Sequence, residues 1–119
     1  MSPLRAAYRV QEQAARVGFD WPDAKGPVDK VREELQELEQ ATGNGQRETI
    51  EEEIGDLLFA VVNLARKLNL DPSAALERAN DKFTRRFDEV KRLAKARGVE
   101  MGRANMAQLD ELWNEVKRR

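Results

Sequence analysis

Apolar residues in this chain recur every three or four positions between isolated Gly and Pro breakers, and no stretch alternates apolar with polar as a half-buried strand would. That pattern restricts the chain to an all-α fold, a helical bundle of about five helices. Residues 4–17 are Ala/Gln/Arg-rich and periodic until Gly18 stops them. Gly18-Phe19-Asp20-Trp21-Pro22-Asp23-Ala24-Lys25-Gly26-Pro27 reads as an ordered loop, and its two aromatics suggest a docking surface. A second helix is expected over 28–41, ended by the Thr42-Gly43-Asn44-Gly45 turn, and a third over 48–68. Asp71 and Pro72 suit the N-cap and first position of a fourth helix, whose apolar positions Leu76, Ala79, Phe83, Phe87, Val90 and Ala94 keep helical spacing until Gly98. Asn105 suits the cap of a last helix over 106–116, with Lys117, Arg118 and Arg119 at its C-terminal dipole. By spacing alone, Phe59, Phe83 and Phe87 fall in the core.

At 119 residues the chain is the size of one domain, 1–119, with enough surface to bury to need no staple. Its 21 basic residues nearly balance 22 acidic ones, which argues against a nucleic-acid partner. There is no Cys and no His, so thiol nucleophiles, thiolate-zinc sites and imidazole bases are excluded, and a reducing, cytoplasmic setting is expected. The longest apolar run, Leu57 to Val62, is far short of the ~20 residues of a membrane span, and the first residues lack a signal-peptide layout. A soluble, unprocessed protein without membrane association is expected. Any hydrolysis must rest on carboxylates and a hard cation.

The acids are placed with a pattern. In the second helix the apolar stripe is Val28, Val31, Leu35 and Leu38, and Glu34 and Glu37 lie on one shoulder, about 70° to 130° from its centre. In the third the stripe is Ile50, Ile54, Leu57, Val61 and Leu68, with Glu53 and Asp56 on the equivalent shoulder and small Ala60 beside them. A short turn favours antiparallel packing, which would bring the four carboxylates across one groove. Their repulsion there calls for a divalent cation, magnesium or manganese. The competing reading is the solvated edge of an amphipathic helix, which suits Glu33, Glu51 and Glu52. On the fourth helix Lys82 and Arg86 share one shoulder, whereas Arg85 points away by the same wheel. They suit either surface pairing or a polyphosphate. No glycine-rich phosphate loop exists, so a P-loop enzyme is excluded.

Glu33-Glu34-Leu35-Gln36-Glu37 followed by Glu53-Ile54-Gly55-Asp56 resembles the EExxE and ExxD motif pair of the MazG family of nucleoside triphosphate pyrophosphohydrolases, in the all-α NTP pyrophosphatase superfamily. The segments 17–22, 30–34, 55–60 and 79–87 are similar to the family's catalytic domain as well, so the resemblance covers nearly the whole chain. Members are commonly longer, with two related domains, and this chain resembles the C-terminal one. The resemblance implies magnesium-dependent hydrolysis of a nucleoside triphosphate between its α- and β-phosphates, in a homodimer. It implies metal ligation by Glu34, Glu37, Glu53 and Asp56, phosphate contact by Lys82 and Arg86, and nucleotide contact by Trp113 and Lys117. Lys30 is a further candidate for phosphate, and Phe19, Trp21 and Asn80 for base or sugar. The general base is then a carboxylate, Glu33 or Glu52 among them, or the hydroxide the cation itself supplies. Trp113 also lies among Leu109, Leu112 and Val116, where packing is the simpler role. Two rivals remain: a phosphoribosyl-ATP pyrophosphohydrolase of the same superfamily, and a helical dimerisation module without catalysis.

Overall fold

Local capping sets where each helix starts and stops. The computed structural model describes all 119 residues, Met1–Arg119, as five helices without a strand: α1 (Pro3–Arg16), α2 (Lys25–Asn44), α3 (Arg47–Lys67), α4 (Pro72–Ala96) and α5 (Met106–Lys117). Ser2 caps α1 by accepting from the Arg5 amide at 3.2 Å. Asp71 Oδ1 accepts from the amides of Ser73 and Ala74 at 2.9 and 3.4 Å, and Asn105 forms a reciprocal capping box with Gln108. The C-terminus of α3 closes through Leu70 N donating to Ala65 O (2.9 Å) and Asn69 N to Arg66 O (3.0 Å). Asn69, at φ +60°, takes the left-handed position that glycine fills more often.

The second helix departs from expectation at both ends. It begins at Lys25, so the tail of the expected loop is helical, and it runs through Asn44. Pro27 is tolerated because a first-turn amide has no partner within the helix to lose. The link to α3 therefore shrinks to Gly45 and Gln46, and Gly45, at φ +72°, turns the chain where a side chain would be strained.

The chain forms two compact units, Met1–Ala75 and Leu76–Arg119. In the first, α3 is packed by both α1 and α2. Gln11 Nε2 donates to the Phe59 carbonyl at 3.0 Å and ties α1 to α3. The buried positions of α2 are Pro27, Glu34 and Ala41, two turns apart, and those of α3 are Ala60 and Val62. The buried positions of these two helices are thus two alanines, a proline, a valine and an acid. Leu35 is 45% exposed, Ile54 and Val61 are 44% exposed, and the expected leucine, isoleucine and valine stripes are only partly covered. Alanines admit close helix approach, so the contact faces rotate away from the bulkiest side chains.

In the second unit, Val90 and Ala94 of α4 pack on Leu112 and Val116 of α5, with Leu93, Val99, Met101 and Leu109 around them. Arg97 and Glu115 close this corner with two parallel hydrogen bonds of 2.7 Å. They raise the Arg97 pKa and lower that of Glu115. The core expected of the phenylalanines is not found. Phe59, Phe83 and Phe87 are 47%, 56% and 37% exposed. Helical spacing aligned them with true core positions such as Val90, but the neighbouring elements cover them only in part.

Candidate active site

Glu34 and Glu37 are carried by α2 and Glu53 by α3, and one carboxylate oxygen of each lies within 4.8 Å of the others. Glu34 is buried at the seam, whereas the helical wheel put it on a shoulder. Its Oε1 takes an ion pair from Lys30 Nζ at 3.2 Å; Lys30 also reaches Glu33 at 3.4 Å, and these contacts, Glu34 foremost, raise its pKa. Oε2 of Glu34 and Oε2 of Glu53 are buried and have no hydrogen-bond partner in the protein. The Glu37 pKa is raised, first by the charge of Glu34, then by burial and by Glu53 and Glu33. Three converging carboxylates with one lysine leave negative charge uncompensated in a low-dielectric seam, at a cost of about 1–3 kcal/mol for each unpartnered buried oxygen. An all-oxygen donor set of this kind fits a hard divalent cation. Asp56 and Glu33 are exposed and stand outside this group, as does Glu52.

Further along α3, a groove of about 380 Å³ opens between α1, the loop after it and α3. Phe19, 81% exposed, and Trp21 line its mouth. Trp21 is fixed from behind: its ring lies so close over Gly26 that a Cβ there would collide with Cε3 and Cδ2. Asp20 holds the loop on α3 through Arg66 and through Lys67 at 3.3 Å. The Arg66 guanidinium above all, helped by the Trp21 amide and Lys67, lowers the Asp20 carboxyl to about 2 against the opposing effect of burial. Gln11, Asn63 and Arg66 also line this groove and were not among the expected site residues. Their only mark in the sequence is a polar residue at a helical position that packing turns inward.

In the second unit, Lys82, Arg86 and Lys117 line a shallow concavity of about 470 Å³. Arg85, expected to point away, lines it too, with Arg119. Glu89 also borders it and is engaged by Arg92 and, at 3.2 Å, by Arg119. Trp113 is partly buried beside the α4–α5 core with its ring 5.4 Å from that of Phe83, so packing accounts for its position. Asn80 is exposed on α4.

These features define an all-α protein with a cluster of three carboxylates, able to hold a metal ion, between two of its helices. Residues 27–91 match the family model of the MazG nucleotide pyrophosphohydrolase domain, and the chain belongs to that family. It is 46% identical over 117 residues to the nucleoside triphosphate pyrophosphohydrolase of Escherichia coli K12, a match covering 97% of this chain and 44% of that protein. It is also 46% identical over 114 residues to the nucleoside triphosphate pyrophosphohydrolase/pyrophosphatase MazG of Thermotoga maritima, covering 96% of this chain and again 44% of the relative. An uncharacterized protein, YabN, of Bacillus subtilis matches 65 residues at 48% identity, 55% of this chain and 13% of its own length. The chain spans less than half the length of each of these relatives.

Proposed function

We propose that the chain hydrolyses nucleoside triphosphates to the monophosphate and pyrophosphate, with magnesium held by Glu34, Glu37 and Glu53. The observation that carries this reading is the carboxylate trio with two buried, unpartnered oxygens at the α2–α3 seam. Family membership and the names of the two 46%-identical relatives support the reaction class. When bound, the cation supplies neutralisation of phosphate charge and acidification of the attacking water. Glu34 and Glu53 present their free oxygens to it, and Lys30 holds Glu34 in place. Asp56, one turn after Glu53 and exposed, is a further candidate ligand through the ExxD motif it shares with the family. In the second unit, Lys82, Arg86 and Lys117 are the candidates for contact with phosphate or nucleotide that the family resemblance implies. Phe19 and Trp21 offer aromatic faces for the base. The exposed apolar side chains of α3 and α4 support a homodimer, and a cytoplasmic setting belongs to the same reading. Phosphorus NMR of products from a panel of nucleoside triphosphates with magnesium tests the cleavage site: monophosphate and pyrophosphate are expected, and diphosphate with inorganic phosphate would overturn it.

A further inference from the structure

We propose that Gln11 is a specificity-determining residue of the nucleotide site, and that its Oε1 accepts a hydrogen bond from an N–H on the edge of a nucleobase lodged in the groove between α1 and α3. The inference rests on the pyrophosphohydrolase reading above. Gln11 is 6% exposed and lines that groove. Its Nε2 donates to the Phe59 carbonyl at 3.0 Å, which leaves Oε1, itself buried, as an acceptor with no partner in the protein. A buried amide oxygen without a donor is costly unless a ligand brings one.

The surroundings suit a planar ring. The groove wall is apolar and aromatic, with Phe19, Trp21 and Phe59, the Trp21 ring braced by Gly26. Asn63 lies beside it with its Oδ1 already taken by Arg66 Nε at 3.0 Å, so its amide nitrogen is the donor it can present. Gln11 as acceptor and Asn63 as donor match the paired donor and acceptor found on the Watson–Crick edge of every base. Along α3, Phe59 and Asn63 follow Glu53 by ~9 and ~15 Å of helix rise, so a nucleotide whose phosphates meet the carboxylates can lay its base toward this groove. Asp56 and Asn63, two turns apart, share the connecting face.

Calorimetric binding of α,β-methylene triphosphates, which resist the proposed cleavage, separates this inference from the reading beneath it. Two matched pairs delete a base N–H: adenosine against purine riboside, and uridine against 3-methyluridine, each as the methylene triphosphate with magnesium. The wild-type chain is expected to bind the donor-deleted member of at least one pair about tenfold more weakly. Gln11→Met, which keeps length and volume, is expected to weaken the parent compound and abolish the difference within that pair. Equal affinity within both pairs for the wild type, or discrimination that survives in Gln11→Met, would overturn the role of Gln11 while leaving the pyrophosphohydrolase reading standing. The wild-type comparison holds even if the variant folds poorly. No saturable binding of any methylene triphosphate would remove the site reading itself, and the inference with it.

Discussion

The carboxylate trio makes opposed demands on Glu53. Without a cation its buried oxygen is unpartnered beside two other acids; with one, it is a ligand. Glu53→Gln removes the charge and nearly preserves the shape. It is expected to stabilise the metal-free chain by about 1 kcal/mol, read from thermal unfolding, while lowering turnover by about 100-fold or more. Loss of stability together with undiminished turnover would contradict the assignment. Asp20 behaves differently because its partners are already present. Its carboxyl has an ordinary value of 3.8 and titrates at about 2 in the folded chain, chiefly through Arg66. The stabilisation it gives is therefore complete above pH 4 and drains away as the pH falls toward 2. Trp21, the next residue, reports on this: its fluorescence in the wild type should change across that window, and in Asp20→Asn the window should be silent.

At the scale of elements, most helix limits were legible because caps are local. The expected 4–17, 48–68 and 106–116 each lie within one residue of α1, α3 and α5, and the Asp71-Pro72 start of α4 stands as read. Of the four carboxylates expected to converge, Glu34, Glu37 and Glu53 do so and Asp56 does not, since shoulder placement and a short turn fix the groove but not which acids enter it. What stayed hidden was the packing face. A wheel weighs hydrophobicity, and this seam uses Pro27, Ala41, Ala60 and a buried glutamate, so Leu35 and Ile54 were assigned to an interior they do not occupy. The groove was half legible: Phe19 and Trp21 announce it, but Gln11 and Arg66 acquire meaning only once α1 and the loop fold onto α3. Gly26 belongs to the same scale. Alanine there gains at most about 1 kcal/mol of helix propensity, yet its Cβ meets a braced indole ring, and overpacking costs about 1–3 kcal/mol. Gly26→Ala is expected to be destabilising on balance and to shift Trp21 emission toward that of a solvated indole; a more stable protein with unchanged emission would argue against the close packing.

For the whole molecule, the apolar surface left on α3 and α4 is the largest unexplained feature of the isolated chain. Ile54, Val61, Leu76 and Phe83 are all at least 44% exposed. Single apolar residues on a surface need no explanation, but a repeated helical stripe of them points to a partner face, and a second copy satisfies it by symmetry. Sedimentation velocity at micromolar concentration should give twice the 13.6 kDa chain mass, and Ile54→Lys should shift the chain to monomer. A wild-type monomer at that concentration would rule the dimer out. Ile54 neighbours Glu53, so a dimer that covers it also shields the carboxylates from water and strengthens their hold on a cation.

The proposed hydrolysis depends on the seam between α2 and α3 being a cation site. Titration of manganese into the metal-free chain, followed by electron paramagnetic resonance of the free ion, measures that directly. The wild type should show saturable binding that magnesium competes away and that Glu53→Gln weakens by about 100-fold. Binding of equal strength in Glu53→Gln, with helicity unchanged in both, would place the cation elsewhere and contradict the account.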